Sequence, residues 1–186
     1  MNNYSNIDSR ILLKAIAEED SEPALESLYS LYFDRLMRFV QLYMNSEQES
    51  EEIISDVFFT IWKNRKSLPE IKNVNAYLYK MARNLSIDYQ RKHKMNFDRL
   101  EDLPFDLYLK TETTPEDDLV SKELIDQLNE AINALPNQCK MAFKLIREDQ
   151  MKYKEAAEIL NVSVKTLEAH ITKAMKVLTQ VINSTN

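Results

Sequence analysis

The sequence predicts an all-α protein made of two small helical domains that are joined by a flexible acidic linker. The 186 residues include no glycine, the residue on which tight hairpin turns and phosphate-cradling loops most depend. Apolar side chains recur every three or four positions in several long segments, as they do along one face of a helix. Residues 98–118 break this spacing with Pro104, Pro115 and a threonine-rich, acidic stretch. We therefore place the linker at 98–118, between domains at 1–97 and 119–186.

Two helical segments are predicted early in the N-terminal domain. The first is Asp20–Met44, with a bend or break near Pro23. Ser46 and Glu49 have the spacing of a capping box and predict a second helix, which we expect Pro69 to end. The apolar stripe of this second helix consists of Ile53, Ile54, Val57, Phe58, Ile61 and Trp62.

Charge is segregated along the chain, although the net charge is only −6. A third helix, predicted from Val74 to about Lys94, falls within residues 71–99, which carry seven basic and two acidic side chains. Residues 100–120 carry seven acids and one lysine instead. Charges more than about 8–10 Å apart are screened at physiological salt, so a partner responds to the local charge. The pattern allows DNA binding at one place and protein binding elsewhere.

The C-terminal domain is predicted to contain four helices, the last two forming a helix-turn-helix. The predicted helices are Leu119–Leu135, Pro136 to about Asp149, Tyr153–Leu160 and Val164–Ile182. In the turn, Asn161 tolerates left-handed backbone and Ser163 is placed to cap the final helix. The buried stripe of that helix is predicted to be Val164, Leu167, Ile171, Ala174 and Leu178. Its polar residues then face outward, as they do in helices that bind the major groove.

The remaining composition favours a cytoplasmic protein without enzymatic activity, metal or other cofactor. Residues 1–20 show no signal-peptide pattern, and no segment approaches the roughly 18 apolar residues of a membrane span. The single cysteine, Cys139, excludes an internal disulfide framework. Cys139 has no base near it in sequence, which gives nucleophilic catalysis little support. No cysteine or second histidine is close in sequence to His170, so no metal site is predicted.

Both halves of the chain resemble bacterial sigma-70-type sigma factors. Segments 24–29, 52–62 and 76–84, with Asp88 and Arg91, resemble region 2 of that family. Leu135-Pro136 and segments 153–157 and 163–170 resemble region 4. No segment between them looks like the region 3 domain of larger members, so the chain resembles the small extracytoplasmic-function (ECF) group. The resemblance implies a subunit that binds core RNA polymerase and directs initiation at specific promoters.

The resemblance implies protein partners for this chain. In the family, the helix that here begins at Ser46 docks on the clamp helices of the largest polymerase subunit, and the polymerase flap is a second contact. The candidate core-binding residues are Glu51, Glu52, Ser55, Asp56 and Thr60. The plainer interpretation is that these residues form a solvated helix face. A cognate anti-sigma factor is also implied, and no small-molecule substrate is.

The resemblance also implies that region 2 melts the −10 promoter element and holds a flipped base of the non-template strand. The candidate residues are Lys72, Asn73, Asn75, Tyr77, Lys80, Arg83, Asn84, Arg91 and Lys92. An asparagine amide such as that of Asn84 offers a donor and an acceptor to a base edge. Aromatic rings stack on unpaired bases, and cations hold phosphates. At least one of Tyr77 and Tyr79 is expected to be an ordinary core residue.

Region 4 of the family recognises the −35 element through its recognition helix. The matching candidates are Tyr153, Lys165, Thr166, Glu168, Ala169, His170, Thr172 and Lys173. Glu168 and His170 stand where some members carry arginines. Glutamate accepts a hydrogen bond from cytosine, and Lys173 reaches guanine or a phosphate. The family's linker threads through the polymerase channel that later holds RNA, although acidic linkers are also common without such a role.

Three other classes of protein were weighed. A helix-turn-helix regulator with an N-terminal sensing or dimerisation domain would have a similar C-terminal helix. A helical adaptor would leave the basic segment unexplained, and a metal-carboxylate enzyme would need inward-facing Glu and His on several helices. The succession from an acidic to a basic helix within residues 46–94 favours the sigma-factor interpretation over the regulator.

Overall fold

The computed structural model describes residues 8–44, 46–93 and 118–185. Contacts within the chain divide it into two compact units, Met1–Glu101 and Asp102–Asn186. All secondary structure in the described residues is helical, which confirms the prediction of an all-α protein with two helical domains. None of these helices is long and apolar enough to cross a bilayer. The proposed linker, 98–118, lies almost wholly outside the described residues, so its limits and flexibility stay predictions.

The N-terminal unit is a helical bundle. Its elements are α1 (Ser9–Glu19), α2 (Glu22–Val40), α3 (Glu47–Lys63), a 3-10 helix (Arg65–Glu70) and α4 (Val74–Lys92). Helices α2, α3 and α4 pack against one another, and α1 packs on α2 and the 3-10 helix. The core includes Leu28, Leu36, Phe39, Ile53, Ile54, Ile61, Leu78 and Tyr79, all of which are almost inaccessible to solvent. The predicted stripe of α3 is therefore the buried one, with Trp62 at its half-exposed edge.

The start of the bundle differs from the prediction. A separate helix, α1, precedes the predicted segment, and Asp20 between α1 and α2 has left-handed backbone (φ 51°). Ser21 caps α2 by accepting a hydrogen bond from the Ala24 N–H (3.3 Å). Pro23 lies in the first turn of α2, where its missing N–H costs no helical hydrogen bond. The break is therefore made by Asp20 and Ser21, just before the proline.

The prediction that Pro69 ends the helix opened by Ser46 was wrong. Helix α3 ends at Lys63, and Pro69 lies inside the 3-10 helix that follows. The reason is tertiary: this short helix carries two cations to the C-terminal end of α1. Arg65 pairs with Asp20 (Nε–Oδ1, 2.5 Å), and Lys66 donates to the Ala17 carbonyl (2.9 Å). These contacts satisfy acceptors at a helix end.

The C-terminal unit surrounds its last helix. It contains α5 (Asp118–Asn133), α6 (Asn137–Phe143), a π-helical turn (Lys144–Glu148), α7 (Tyr153–Leu160) and α8 (Val164–Thr185). Helices α5, α6 and α7 all pack against α8. The predicted helix-turn-helix is present, with Ala156, Ala157, Leu167, Ile171, Ala174 and Leu178 buried. Val164 was wrongly placed in the buried stripe. It is 39% exposed because it is the first residue of α8 and no earlier turn of the helix shelters it.

The turn of the helix-turn-helix has the predicted local chemistry. Asn161 adopts left-handed backbone (φ 57°, ψ 46°) at the end of α7. Ser163 caps α8 by accepting a hydrogen bond from the Thr166 N–H (3.0 Å). Both predictions are confirmed, and both rest on interactions within three residues of sequence.

Asn161→Ala is expected to lower the free energy of unfolding by about 1 kcal/mol, because an alanine Cβ disfavours the left-handed conformation and has no polar group to offset it. Asn161→Gly, the matched control, is expected to keep most of the stability because glycine adopts this conformation freely. Urea unfolding followed by far-UV circular dichroism measures both. Equal losses in the two variants would contradict the backbone explanation.

A buried cluster of charges underlies α6 and the π-helical turn. Lys140 and Lys144 are 1% and 0% exposed. The Lys144 ammonium lies 2.7 Å from Asp149 Oδ1 and 3.5 Å from Glu148 Oε2. The predicted helix over this segment is continuous only to Phe143, after which the π-helical turn begins. Ala142, Phe143, Leu145 and Ile146 are buried as expected, but the burial of both lysines was not predicted.

Candidate nucleic-acid and protein interfaces

The acidic candidates of α3 lie together on its solvent-facing side. Ser46 opens the helix by accepting a hydrogen bond from the Glu49 N–H (3.2 Å), as the capping pattern predicted. The structure places Glu51, Glu52, Ser55 and Asp56 in the exposed class and Thr60 at half-burial. Positions 52, 55, 56 and 60 follow the helical spacing of one face. The five predicted residues thus form a single surface, which we call the acidic face.

Phe59 is part of the acidic face, although it was not among the predicted core-binding residues. Its side chain is 64% exposed, and it lies three and four residues from Asp56 and Ser55, hence beside them on the helix. Single exposed apolar residues are common on protein surfaces, so the significance of Phe59 depends on the apolar surface beside it. The signal was present in the sequence, since Phe59 lies outside the predicted apolar stripe of this helix.

Next to Phe59, an apolar groove runs between α2 and α3. It has a volume of about 620 Å³, and its lining includes Tyr29, Phe58, Phe59 and Trp62, with Glu22 and Glu26 at one side. The Tyr29 ring packs on Phe58, with centroids 4.8 Å apart. The N-terminal unit therefore presents an aromatic groove that is continuous with the acidic face.

The outer side of α4 carries a polar and basic stripe. Tyr77, Lys80, Asn84 and Arg91 recur at three, four and seven positions and share one side of the helix, opposite the buried Leu78 and Ala82. Asn84, Arg91, Lys92 and the preceding Lys72 are exposed, and Tyr77 and Lys80 are half-buried. Arg91 pairs with Asp88 at 3.0 Å, with both side chains mostly exposed. An ion pair at the surface is weak. Arg91 can therefore leave the carboxylate of Asp88 and pair with another anion, such as a phosphate.

Several other candidates of the −10 set have structural roles in the free protein. Asn73 caps α4 by accepting a hydrogen bond from the Ala76 N–H (3.0 Å). The Asn75 side-chain oxygen accepts a hydrogen bond from the Tyr32 hydroxyl (2.5 Å), which leaves its amide N–H groups for another partner. These two residues position the start of α4 and therefore orient the stripe that follows.

The tyrosines and Arg83 are divided between the core and the surface. Tyr79 is fully buried and packs on Phe39, with ring centroids 5.0 Å apart, so Tyr79 is the core aromatic that was expected. Tyr77 stays half-buried, and burial raises the pKa of its hydroxyl. Burial also raises the pKa of Tyr43, while the neighbouring Arg83 guanidinium opposes the shift. Arg83 thus reaches toward the bundle interior as well as toward Asn84 (3.4 Å).

In the C-terminal unit, α8 presents most of the −35 candidates on one side. Lys165, Thr166, Glu168, Ala169, Thr172 and Lys173 are exposed, whereas His170 is half-buried. Tyr153, at the start of α7, is 38% exposed. The Thr172 hydroxyl donates to the Glu168 carbonyl (2.8 Å). The structure therefore brings six of the eight candidates onto the outer side of one helix.

The surroundings of His170 differ from the prediction. Cys139 on α6 is 2% exposed, and its Sγ lies 3.7 Å from His170 Nδ1. The two residues are not neighbours in sequence, because 31 positions separate them along the chain. Packing of α6 on α8 brings them together. No group of three or more His, Cys, Asp or Glu suited to a metal ion occurs among the residues that the structure describes.

Each of the two units matches a model of a known protein family. The family model "Sigma-70 region 2" matches residues 28–95, and the model "Sigma-70, region 4" matches residues 125–178. The first match contains the acidic face and the stripe on α4. The second contains the helix-turn-helix. The two models occur in the order in which sigma factors carry them.

Relatives that align over most of their length are consistent with the two family matches. The ECF RNA polymerase sigma factor SigM of Bacillus subtilis is 26% identical over 86% of this chain and 95% of its own length. SigW of the same organism is 24% identical over 89% of this chain and 92% of its own length.

Two solved structures share the fold. CnrH, solved with the cytosolic domain of CnrY, has a TM-score of 0.61 at 17% identity, covering 95% of this chain and 99% of that chain. RpoE of Bartonella quintana, solved with the anti-sigma factor NepR, has a TM-score of 0.61 at 18% identity, covering 85% and 96%. This chain belongs to the ECF group of sigma-70-type RNA polymerase sigma factors, which are regulatory proteins of transcription initiation.

Proposed function

We propose that this sigma factor binds core RNA polymerase through the acidic face, melts and captures the −10 element with α4, and recognises the −35 element with α8. The observation that carries the proposal is the arrangement of the N-terminal unit. An acidic face with an exposed aromatic ring on α3 adjoins a helix, α4, whose outer side is basic. A sensing or dimerisation domain has no need of this pairing of a protein-binding and a DNA-binding surface.

The acidic face supports docking on the clamp helices of the polymerase. Glu51, Glu52 and Asp56 are exposed and would complement basic residues of a partner. Phe59 and the adjoining groove supply apolar area, which is the part of an interface that contributes most to affinity. Charge at the rim would mainly set the association rate and the orientation. The polymerase flap is the second proposed contact.

The stripe on α4 supports capture of the −10 element. Tyr77 presents part of its ring for stacking on an unpaired base. Asn84 lies on the same side of α4, about two turns further on, and its side chain is exposed. Arg91 and Lys92 follow at the C-terminal end of the helix, where they would hold phosphates of the non-template strand. Asn73 and Asn75 support this role indirectly, because their hydrogen bonds hold the N-terminal end of α4 in place.

The outer side of α8 supports recognition of the −35 duplex. The helix begins at a capped, tight turn, so its first residues project from the protein as in helices that enter the major groove. Glu168 can accept a hydrogen bond from cytosine N4, and Lys173 can reach guanine or a phosphate. His170 lies at the edge of this surface.

Partner proteins of the relatives suggest a regulator for this chain. RpoE of Bartonella quintana was solved with an anti-sigma factor, and CnrH with the cytosolic domain of CnrY. We propose that an anti-sigma factor binds this chain as well. Because core RNA polymerase acts in the bacterial cytoplasm, the proposed function locates this protein there.

Transcription from a promoter library tests the proposal. Core RNA polymerase is assayed with and without the full-length protein on templates that are randomised at the −10 and −35 elements. Initiation that depends on the protein and is restricted to templates with two spaced elements is expected. Binding to duplex DNA without any initiation would instead identify a helix-turn-helix regulator and overturn the roles given to α3 and α4.

Replacing both Arg91 and Lys92 with alanine is expected to weaken binding of the holoenzyme to −10 single-stranded DNA about equally for all sequences. The slope of log affinity against log salt should fall by about 1.4, since each phosphate contact contributes about 0.7 on single strands. Fluorescence anisotropy over a salt series measures the slope. Arg10→Ala with Lys14→Ala removes two similarly paired, exposed cations of α1 and serves as the control. A loss confined to particular base sequences would contradict phosphate contacts.

A further inference from the structure

The contact between Cys139 and His170 joins a buried residue to the DNA-facing surface of α8. Cys139 lies on α6 and is almost inaccessible, whereas the histidine ring is half-buried. On the helix, position 170 falls between the exposed side that carries Glu168 and Ala169 and the buried side that carries Leu167 and Ile171. One edge of the imidazole therefore faces the protein interior and is available for a fixed contact. Because the residue is only half-buried, part of the side chain stays accessible to solvent.

A thiol that donates to Nδ1 would leave the proton of a neutral imidazole on Nε2. The Cys139 Sγ lies 3.7 Å from Nδ1, within the range of a weak sulfur hydrogen bond. Burial raises the pKa of the Cys139 thiol, and the cation of Lys173 opposes that shift only in part. The group is then a thiol at neutral pH and can donate its proton to Nδ1. A neutral imidazole that accepts at Nδ1 carries its own proton on Nε2.

We propose that Cys139 is a positioning residue for His170, holding the imidazole so that its Nε2–H points outward as a hydrogen-bond donor to the −35 duplex. The inference rests on the proposed function of α8. A fixed N–H donor suits acceptors on the major-groove edge, which are guanine N7 and O6, adenine N7 and thymine O4, so cytosine is the base that it disfavours most. It does not suit the amino groups of cytosine and adenine. Base preference at one position of the promoter then depends on a cysteine that touches no DNA.

The base preference expected for His170 differs from the preferences expected for the neighbouring polar residues of α8. Glu168, two residues earlier, is an acceptor only, and Lys173 is a flexible cation that does not discriminate well between guanine and a phosphate. A histidine whose ring rotates freely would offer a donor or an acceptor in either orientation. Contact with Cys139 removes that freedom before DNA is bound, so the ordering cost is not incurred on binding.

Base-preference profiles of variant holoenzymes test the proposal. The full-length chain is assembled with core RNA polymerase, and binding is measured on promoter duplexes randomised at each −35 position. Cys139→Ala and His170→Ala are expected to lose the same preference at the same position, by about three- to ten-fold, the effect of one hydrogen bond. The double variant should lose little more than either single one, because both changes remove one interaction. Cys139→Ser, which keeps a donor, should retain part of the preference.

A second measurement needs no DNA. Nitrogen-15 spectra of the imidazole rings report the tautomer, and the chain has only two histidines, so His93→Gln assigns the signals. The wild-type His170 ring should show the Nε2–H form alone, and Cys139→Ala should show a mixture of the two forms.

The outcomes separate the possible failures. If His170→Ala loses a preference that Cys139→Ala keeps, the positioning role is overturned and α8 still recognises the −35 element. A uniform loss of affinity in Cys139→Ala, with unchanged preference, would reduce the cysteine to a packing residue and also overturn the inference. A wild-type holoenzyme with no preference at any −35 position would overturn the proposed function of α8 itself.

Discussion

Replacing Asp149 with alanine is expected to lower the free energy of unfolding of the C-terminal unit by about 3–5 kcal/mol, the usual cost of breaking a buried ion pair from one side. The Lys144 ammonium is fully buried, and Asp149 Oδ1 is its nearest carboxylate oxygen at 2.7 Å. After the substitution, Glu148 Oε2 would still lie 3.5 Å from the Lys144 ammonium. This longer contact is expected to offset only part of the lost stabilisation. Asp149 also closes the π-helical turn, since its N–H donates to the Lys144 carbonyl (3.0 Å).

Urea unfolding followed with two probes measures this effect. Trp62 is the one tryptophan of the chain and lies in the N-terminal unit, so its fluorescence follows that unit, while circular dichroism follows both. The Asp149→Ala transition should shift in circular dichroism and stay unchanged in fluorescence. Glu18→Ala removes one partner of an exposed ion pair and should cost less than about 1 kcal/mol. A similarly small cost for Asp149→Ala would mean that the buried cluster does not stabilise the unit.

Reversing two charges of the acidic face, with Glu52→Lys and Asp56→Lys, is expected to weaken binding to core RNA polymerase at least 100-fold. Like charges placed against each other across an interface cost several kcal/mol, and about 2.7 kcal/mol corresponds to 100-fold. Both side chains are exposed, so the stability of the free protein should change little. Equilibrium binding of fluorescently labelled protein to core polymerase measures the effect.

A second pair of reversals provides the control. Glu18→Lys with Glu19→Lys changes the net charge by the same amount on α1, at two exposed positions that lie outside the acidic face. This variant should bind core polymerase within a few-fold of the wild type. Equal weakening by both pairs would show that the polymerase responds to the overall charge of the unit, and the docking site on α3 would then be wrong.

Features that depend on neighbouring residues in sequence were predictable. The three- and four-residue spacing of apolar side chains located the buried sides of α3 and α8 correctly, apart from Val164. The caps at Ser46 and Ser163 and the left-handed Asn161 follow from interactions within a few residues. The family was also recognisable, because short motifs in both halves occur in a fixed order.

Features that depend on packing between helices were decided by the tertiary structure. The sequence could not assign Tyr79 to the core and Tyr77 to the surface, since that depends on where α2 brings Phe39. Lysines at positions 140 and 144 indicate an exposed helix in any local pattern, yet both are buried. For Lys144, the π-helical turn brings Glu148 and Asp149 within reach of its ammonium group. Helix α3 ends before Pro69 because Arg65 and Lys66 bind the end of α1.

The candidate surfaces divide in the same way. The sequence by itself determined which helices carry acidic, basic and outward-facing polar residues, because the side of a helix follows from its periodicity. The tertiary structure alone decided that Phe59 adjoins an aromatic groove and that Asn73 and Asn75 hold the start of α4. It also decided that Cys139 contacts His170. Such contacts join residues far apart in the chain, and helix periodicity contains no information about which helices meet.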